Sequence, residues 1–272
     1  MRKTLAENLL SLTRDDSSVL VLLGDIGVGQ FIDQNGHLPD RVFNVGILEQ
    51  SMISLAAGLS REGFNVFVYT ISPFLIERAF EQIKLDLVYN SNPVTLVGAN
   101  GPFEYAKLGP THHCPNDVPL LSLLDGVEIH LPSTVCDLRA AISLCSTNRN
   151  LRYIRLTSRT LTTHIPPNEI IHCQASPASS CFVFVGEAAA LLSEQPSFSG
   201  ESDILRLISP KLSDQLLLDL GTYQTVYVFE PYSAPITAEI IRRNLRQLDL
   251  NSFVYPKAIS EGVFEAPHFI KV

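Results

Sequence analysis

The sequence predicts an α/β protein of two domains, each a mostly parallel sheet flanked by helices. Three observations carry the prediction. Short β-rich runs alternate with helical patterns, and such alternation builds parallel sheets through crossover connections. The strand runs are apolar almost throughout, as strands covered on both faces must be. A stretch rich in Pro, Ser and Thr, TLTTHIPPNEIIHCQASPASS over 160–180, interrupts the pattern, which then resumes. The expected boundaries are 1–160 for the first domain, 161–180 for a linker and 181–272 for the second domain.

The opening residues, MRKTLAENLLSLTRDD, read as an amphipathic helix. Glu7 and Asn8 break its apolar run, so it is neither a signal peptide nor a transmembrane span. Strands are expected at SVLVLL (18–23), VFNVG (42–46), NVFVY (65–69), PVTLVG (93–98), VEIHL (127–131) and LRYIRL (151–156). Helical patterns fall between most of them, at 49–62, 73–90 and 134–147. The second domain brings CFVFVG (181–186), a helix through Ala188–Leu192, ILRLI (204–208), a helix over 211–220, TVYVFE (225–230), a helix over 236–246 and SFVYP (252–256). At about ninety residues it is near the small end for an autonomous domain.

Composition narrows the function. The chain has 272 residues, 46% apolar and 18% charged, a globular and soluble balance. The net charge is −8, with no clustering of Lys and Arg, which excludes a nucleic-acid groove or an anionic membrane as partner. Cys114, Cys136, Cys145, Cys173 and Cys181 are odd in number and form no C-x-x-C pair. Without a secretion signal they read as reduced thiols of a cytoplasmic protein.

Four stretches are candidates for chemistry. LLGDIGVGQ (22–30) is a Gly-rich turn after a strand, but its glycines fall as G-x-x-G-x-G and the next strand ends at Gly46, not at an acid. It therefore lacks the dinucleotide fingerprint and reads as a tight loop, with Asp25 at the strand end where parallel sheets carry ligands. GPTHHCPND (109–117) offers two histidines and a cysteine. Adjacent side chains on an extended segment point to opposite sides, so His112 and His113 do not share an ion, and one of them faces a cleft. In TISPFLIERAFEQIKLDLVYN (70–90), Phe74, Phe80 and Ile83 lie broadly on one helical side. Core packing accounts for that stripe, although Phe74, directly after Pro73, is placed to offer its ring to a planar ligand. Finally, FNVGILEQSMISLAAGL (43–59) puts Glu49 on the face of Ile53, Ala56 and Ala57, the stripe that normally meets a core. Such a carboxylate is either paired with an Arg or Lys or kept for chemistry.

Taken in this order, FNVGILEQSM, ISPFLIERAFEQI and LGPTHH resemble the transketolase family. The match is to its C-terminal half: the pyrimidine-binding domain of thiamine-diphosphate enzymes followed by a small C-terminal domain. The resemblance is good over about residues 1–160 and loose over 180–272. It rests on G-I-x-E-x-x-M-x-x-x-A-A-G-L and, some fifty residues later, G-P-T-H.

The resemblance implies roles residue by residue. Glu49 would meet N1′ of the cofactor's aminopyrimidine. An acid there favours the imino tautomer that removes the thiazolium C2 proton, and apolar surroundings would keep that acid protonated. Phe74 would pack on the pyrimidine ring, with Phe80 and Arg78 near further pocket positions, in a segment one residue longer than in some relatives. His112 would face the reacting carbon, hydrogen-bond a ketose donor and stabilise charge as the carbon–carbon bond breaks. Asp25 would lie close to the thiazolium. Arg159 would either grip an acceptor's phosphate or be a surface arginine entering the linker.

Three departures from the family pattern remove polar handles on a sugar phosphate. Leu108 stands where an Asp precedes G-P-T-H, Gly29 where a Ser contacts phosphate, and Ala99 or Asn100 where a His follows the fourth main strand. The substrates expected are thus unlike the ordinary pentose phosphates. No G-D-G motif occurs, so the diphosphate and Mg²⁺ are expected to be held by a partner, an N-terminal transketolase-like subunit, in an α2β2 assembly with β–β contact. Two alternatives stay open: the E1 β subunit of a 2-oxo-acid dehydrogenase, and a non-catalytic regulatory or scaffolding homologue.

Overall fold

The computed structural model describes residues 1–162, 165–172, 178–194, 202–245 and 249–254. Helix α1 (Arg2–Asp15) buries Leu5, Ala6, Leu9 and Thr13 along one face and leads into β1 (Val19–Leu23), whose five residues are all buried. There follow β2 (Val42–Asn44), α2 (Glu49–Arg61), β3 (Asn65–Ile71), α3 (Ser72–Ile76) and α4 (Phe80–Gln82). Then come β4 (Val94–Ala99), α5 (Asp117–Ser122), β5 (Glu128–His130), α6 (Val135–Thr147) and β6 (Arg152–Arg155). The six strands form one parallel sheet in the order β2-β1-β3-β4-β6-β5.

The sheet separates two apolar layers. On one side Leu5 and Leu9 of α1 and Leu138 and Ile142 of α6 meet Val19, Val21, Phe67 and Ile154. On the other, Met52, Ile53 and Ala56 of α2 and Leu75 and Ile76 of α3 meet Leu22, Val66, Val68 and Leu96. β2 and β3 lie on opposite sides of β1. At such a switch the loops leaving the strand C-termini part and leave a crevice, the usual ligand position in this class of sheet.

The continuous helix expected over 73–90 is broken. Pro73 occupies the first turn of α3, and the N–H groups of Glu77 and Arg78 both donate to Pro73 O, at 3.0 and 3.2 Å. The second is an i→i+5 bond, which takes in one more residue than an α-helical turn. After α4 the chain continues as a π-helix over Ile83–Tyr89. Ile83 is therefore fully buried, while Phe74 and Phe80 are only partly covered and do not share its environment.

The second sheet holds β7 (Ile170–Ile171), β8 (Ser180–Val185), β9 (Asp203–Leu207), β10 (Thr225–Glu230) and β11 (Asp249–Val254), in the order β11-β10-β8-β9-β7. All pairs are parallel except β7, which joins β9 antiparallel. β7 falls inside the stretch expected as linker. α7 (Leu191–Glu194), α8 (Asp214–Leu220) and α9 (Ile236–Asn244) complete this unit. The expected strand 252–256 and helix 236–246 run past the described residues at 255–256 and 246, and linker residues 163–164 and 173–177 also lie outside them. No described helix is long and apolar enough to cross a membrane.

The two sheets share a core. Leu131, Leu151 and Tyr153 of the first unit belong to one buried cluster with Val183, Leu205, Val226 and Tyr232 of the second. A polar clamp adds to it. Asp137 caps α6 together with Thr134, and Arg206 of β9 grips the same carboxylate through Nη1 at 2.6 Å and Nη2 at 3.1 Å. Both charges are buried and bidentate, which holds α6 against the second sheet in a fixed geometry.

Candidate active site

Five of the residues picked out from the sequence follow strand ends on one edge of the first sheet. Asp25 follows β1, Glu49 follows β2, Phe74 follows β3, His112 lies in the loop after β4, and Arg159 comes after β6.

Glu49 is the first residue of α2, reached through a turn in which Gly46 takes φ +78°. That left-handed conformation suits glycine and lets the chain reverse from strand to helix within a few residues. Glu49 is 2% exposed and faces inward with Met52, Ile53 and Ala56, as the sequence stripe predicts. Its surroundings are not uniformly apolar, however. Arg78, expected to line the pocket, donates from Nη1 to Glu49 Oε2 at 2.8 Å. The buried-pair alternative is thus realised for one oxygen. The other, Oε1, is buried with no hydrogen-bond partner in the protein. A buried acceptor without a partner is costly, so a ligand group that hydrogen-bonds to it is favoured there.

The Arg78 guanidinium lies over the Phe74 ring at 4.0 Å, and Phe74 meets the His112 ring edge-on at 5.2 Å. Tyr105 packs on His112 from another direction, with centroids 6.0 Å apart. His112 Nδ1 is 3.0 Å from the Thr111 hydroxyl. Glu49, Arg78, Phe74 and His112 therefore form one continuous contact chain. The neighbouring His113 turns to Phe103 instead, at 5.4 Å, so the two imidazoles part as alternating side chains should.

Asp25 stands at the same edge but outside this chain. It is exposed, takes φ +60°, and is bracketed by Asn44, whose Oδ1 accepts from its N–H and whose Nδ2 donates to its Oδ1 at 3.0 Å. Asn44 Oδ1 also accepts from Gly46 N–H, so one side chain links the Asp25 turn to the turn that presents Glu49. Phe80 opens α4 and takes no part in the ring contacts of Phe74 and His112. Leu108 is 57% exposed on the His112 loop, leaving no polar side chain there.

Several residues that the sequence does not single out complete the edge. Arg2 of α1 donates to Tyr105 OH at 2.5 Å and to Asn100 Oδ1. Arg2, Lys3, Asn100, Thr157 and Ser158 line a cavity of about 520 Å³. Tyr69, at the end of β3, has a buried hydroxyl without a partner, and burial pushes its ionisation up to about 12. Glu104 takes the Ser158 N–H at 2.6 Å and the Thr157 hydroxyl, tying the His112 loop to the segment that bears Arg159. Nothing in the local pattern around Arg2 or Tyr105 signals these contacts; only Asn100 stood out, as a lost histidine.

The chain fits thiamine diphosphate in one specific respect. The unpartnered Glu49 Oε1 supplies a hydrogen-bonding atom on a carboxylate linked through Arg78 to the Phe74 ring, and an aminopyrimidine needs such an atom at its edge. Similarity to known proteins agrees. Residues 1–163 match the family described as transketolase, pyrimidine binding domain. Over 142 residues the chain is 35% identical to one subunit of the apulose-4-phosphate transketolase of Phocaeicola vulgatus, covering 51% of this chain and 44% of that protein. The subunit of the same name from Actinobacillus succinogenes is 38% identical over 125 residues, covering 46% of this chain and 40% of its own length. The chain thus spans less than half of these relatives. Among solved structures, one titled split gene transketolase, inactive beta4 tetramer, superposes with a TM-score of 0.78 over 98% of this chain and 93% of its own, at 20% identity, and so shares the fold. Through its pyrimidine-binding domain, this chain belongs to the transketolase family.

Proposed function

We propose that this chain is the C-terminal, β-type subunit of a split transketolase-like enzyme. It moves a ketol or acyl unit from a ketose-type donor to an aldehyde-type acceptor, with thiamine diphosphate shared between this chain and a partner. The observation that carries the reading is Glu49 Oε1, buried and unpartnered on a carboxylate that Arg78 links to Phe74 and His112.

When bound, the cofactor supplies an acidic thiazolium C–H and a sink for the electrons of the broken carbon–carbon bond. This chain's residues do the rest. Glu49 holds a hydrogen bond to the pyrimidine through Oε1, Phe74 offers its ring, and His112 hydrogen-bonds the donor where charge develops. Asp25 would lie on the thiazolium side. The cavity bounded by Arg2, Lys3 and Asn100, with Arg159 nearby in sequence to its Thr157–Ser158 wall, suits an anionic end of the substrate. To donate rather than accept, the Glu49 carboxyl would carry a proton on Oε1 while Oε2 goes on accepting from Arg78.

A partner with a G-D-G motif holds the diphosphate and Mg²⁺. The relatives named as subunits of a transketolase support a divided enzyme, and the neighbour titled a beta4 tetramer supports β–β contact; the assembly we propose is α2β2. Exposed Phe43, Ile47, Leu48 and Leu55 flank Glu49 on its outer side and provide an apolar face for such contacts.

The non-catalytic reading draws on two observations, the Glu49–Arg78 pair and the apolar Leu108. One experiment separates the two. The chain is mixed with a purified G-D-G partner, thiamine diphosphate and Mg²⁺, and turnover of ketose donors is followed. Turnover that Glu49→Ala leaves intact sinks the catalytic assignment. Micromolar cofactor binding by the chain alone sinks the divided site.

A further inference from the structure

The loop that carries His112 is seated at both stems on the second domain. It closes on itself where Cys114 N–H donates to Pro102 O at 2.7 Å. Just past the closure, Ser233 N–H donates to Pro115 O at 2.9 Å and Ser233 Oγ to Asn116 Oδ1 at 2.6 Å. At the other stem, Gly101 lies directly against Glu187, the second residue beyond β8. A Cβ on Gly101 would stand 1.8 Å from Glu187 Oε2, so any larger residue there pushes the Glu187 carboxyl aside. The turn that aims Glu187 there also needs glycine. Gly186 has φ +56°, and a Cβ on it would lie 2.8 Å from Leu131 Cβ.

Glu187 is a carboxyl group with little support. It is 8% exposed, and its Oε2 is buried without a hydrogen-bond partner. The charged groups facing it are Arg155 of β6, Arg159 beyond β6, and Glu104 of the His112 loop, with the Thr157 hydroxyl beside it. Arg155 is engaged through Nη1 with both Asp117 oxygens, at 2.8 and 3.1 Å, while its Nη2 is buried without a partner. Glu104 uses Oε1 for Thr157 and Ser158, and its Oε2 is likewise buried and unpartnered. Two carboxylates so placed repel each other when both are charged, and burial resists either charge. Burial, opposed by Arg155, pushes Glu187 up to about 7. Around Arg155, Tyr153 and Tyr232 are pushed well above their ordinary range by burial and stay neutral throughout.

We propose that Glu187 is a positioning residue for His112: uncharged, it seats the Gly101 stem of the loop on the second domain, and charged, it turns to the open Nη2 of Arg155 and loosens that stem. The importance for catalysis rests on the His112 role proposed above; the seating itself does not.

The sign follows from linkage. The seated state binds the proton more tightly than the state turned to Arg155, because the guanidinium favours the charged carboxylate. Seating is thus strongest at low pH, weakens as pH rises to about 7, and is flat above it. Hydrogen exchange of the 101–116 amides in the full chain, corrected for intrinsic exchange and referred to β1 and β3, reads this directly. Wild-type protection should fall at least tenfold (the limit is about tenfold per pH unit for one proton) between pH 5 and pH 7.5. Glu187→Gln should be equally protected at both, and Gly101→Ala poorly protected at both. Should Glu187→Gln not fold, Glu104→Gln carries the test, since removing the like charge moves the wild-type midpoint to lower pH. The same pH profile in wild type and Glu187→Gln, or an unmoved midpoint in Glu104→Gln, overturns the proposal. Exchange needs neither cofactor nor partner, so its outcome is independent of the turnover experiments. In the assembled enzyme, Glu187→Gln should flatten the pH profile of kcat and leave cofactor affinity unchanged.

Discussion

Arg78 reaches across from the α3–α4 turn to Glu49, 2.8 Å from Nη1 to Oε2, and lays the same guanidinium over Phe74 at 4.0 Å. One side chain thereby fixes both the carboxylate and the ring that flank the crevice. It also divides the carboxylate: Oε2 is bonded within the protein, and Oε1 is buried with no protein partner. The i→i+5 bond from Arg78 N–H to Pro73 O brings this about, because it turns the chain further than an α-helical bond before Arg78 emerges.

In the assembled enzyme, Glu49→Gln and Glu49→Ala should each lower turnover by about 10²–10⁴, the range for losing a positioned acid–base group. The fold should persist, because half-exposed Arg78 is resolvated. Steady-state kinetics and thermal unfolding, run side by side, check both halves.

Arg78→Ala should leave both Glu49 oxygens buried without partners. The expected cost is about 1–2 kcal/mol, the low end for an orphaned buried group, since Arg78 itself is partly in water. Urea denaturation measures it. The variant should retain more turnover than Glu49→Ala, because Oε1 is untouched.

Phe74→Ala should weaken thiamine diphosphate binding by about tenfold, or ~1.4 kcal/mol, through loss of the ring face. Calorimetry on the assembled complex gives the figure. His112→Ala should lower kcat and leave cofactor affinity near wild type. A fall in affinity as large as that of Phe74→Ala would move His112 from the substrate to the cofactor.

Arg155→Met should be the most destabilising change at the domain seam. It strands Asp117, which is completely buried and otherwise held by Tyr153 OH and Val118 N–H, each at 2.7 Å. Removing one partner of such a pair costs about 3–5 kcal/mol. The double variant Asp117→Asn/Arg155→Met should recover part of the loss in denaturant titrations.

Glu230 makes the stability of the second domain depend on pH. It is fully buried and accepts from the N–H groups of Thr237 and Ala238, at 2.6 and 2.9 Å. Burial outweighs these bonds and pushes its carboxyl up to about 7. The folded state therefore binds the proton more tightly, and stability present below 4.5 is lost as pH rises towards 7. Unfolding free energies at pH 5 and 7.5 should differ by up to ~3 kcal/mol, and Glu230→Gln should reduce that difference.

The architecture was legible because it rests on local patterns. Apolar runs such as VLVLL and the stripe of Glu49, Ile53, Ala56 and Ala57 report burial residue by residue. Even Glu49 was visible this way, as an acid where a core residue belonged. The break in the 73–90 helix was not legible, since its apolar stripe suits an α-helix and the π-turns arise from packing against α2 and the sheet. The β7 strand was hidden for the opposite reason: two residues among Pro, Ser and Thr carry no period, and only the exposed edge of β9 gives them a partner.

By itself the sequence determined the alternation of strands and helices, and it put the candidates Glu49, Phe74 and His112 after strand ends. Which of these touch, and what else joins them, was decided by the tertiary structure. Arg78 meets Glu49 across 29 residues, and Arg2 meets Asn100 across 98. Glu187 comes to Gly101 from another sheet altogether. The physical reason is that periodicity records how each residue faces its own element. Contacts between strand ends are set by strand order and domain docking, and neither leaves a mark on neighbouring residues.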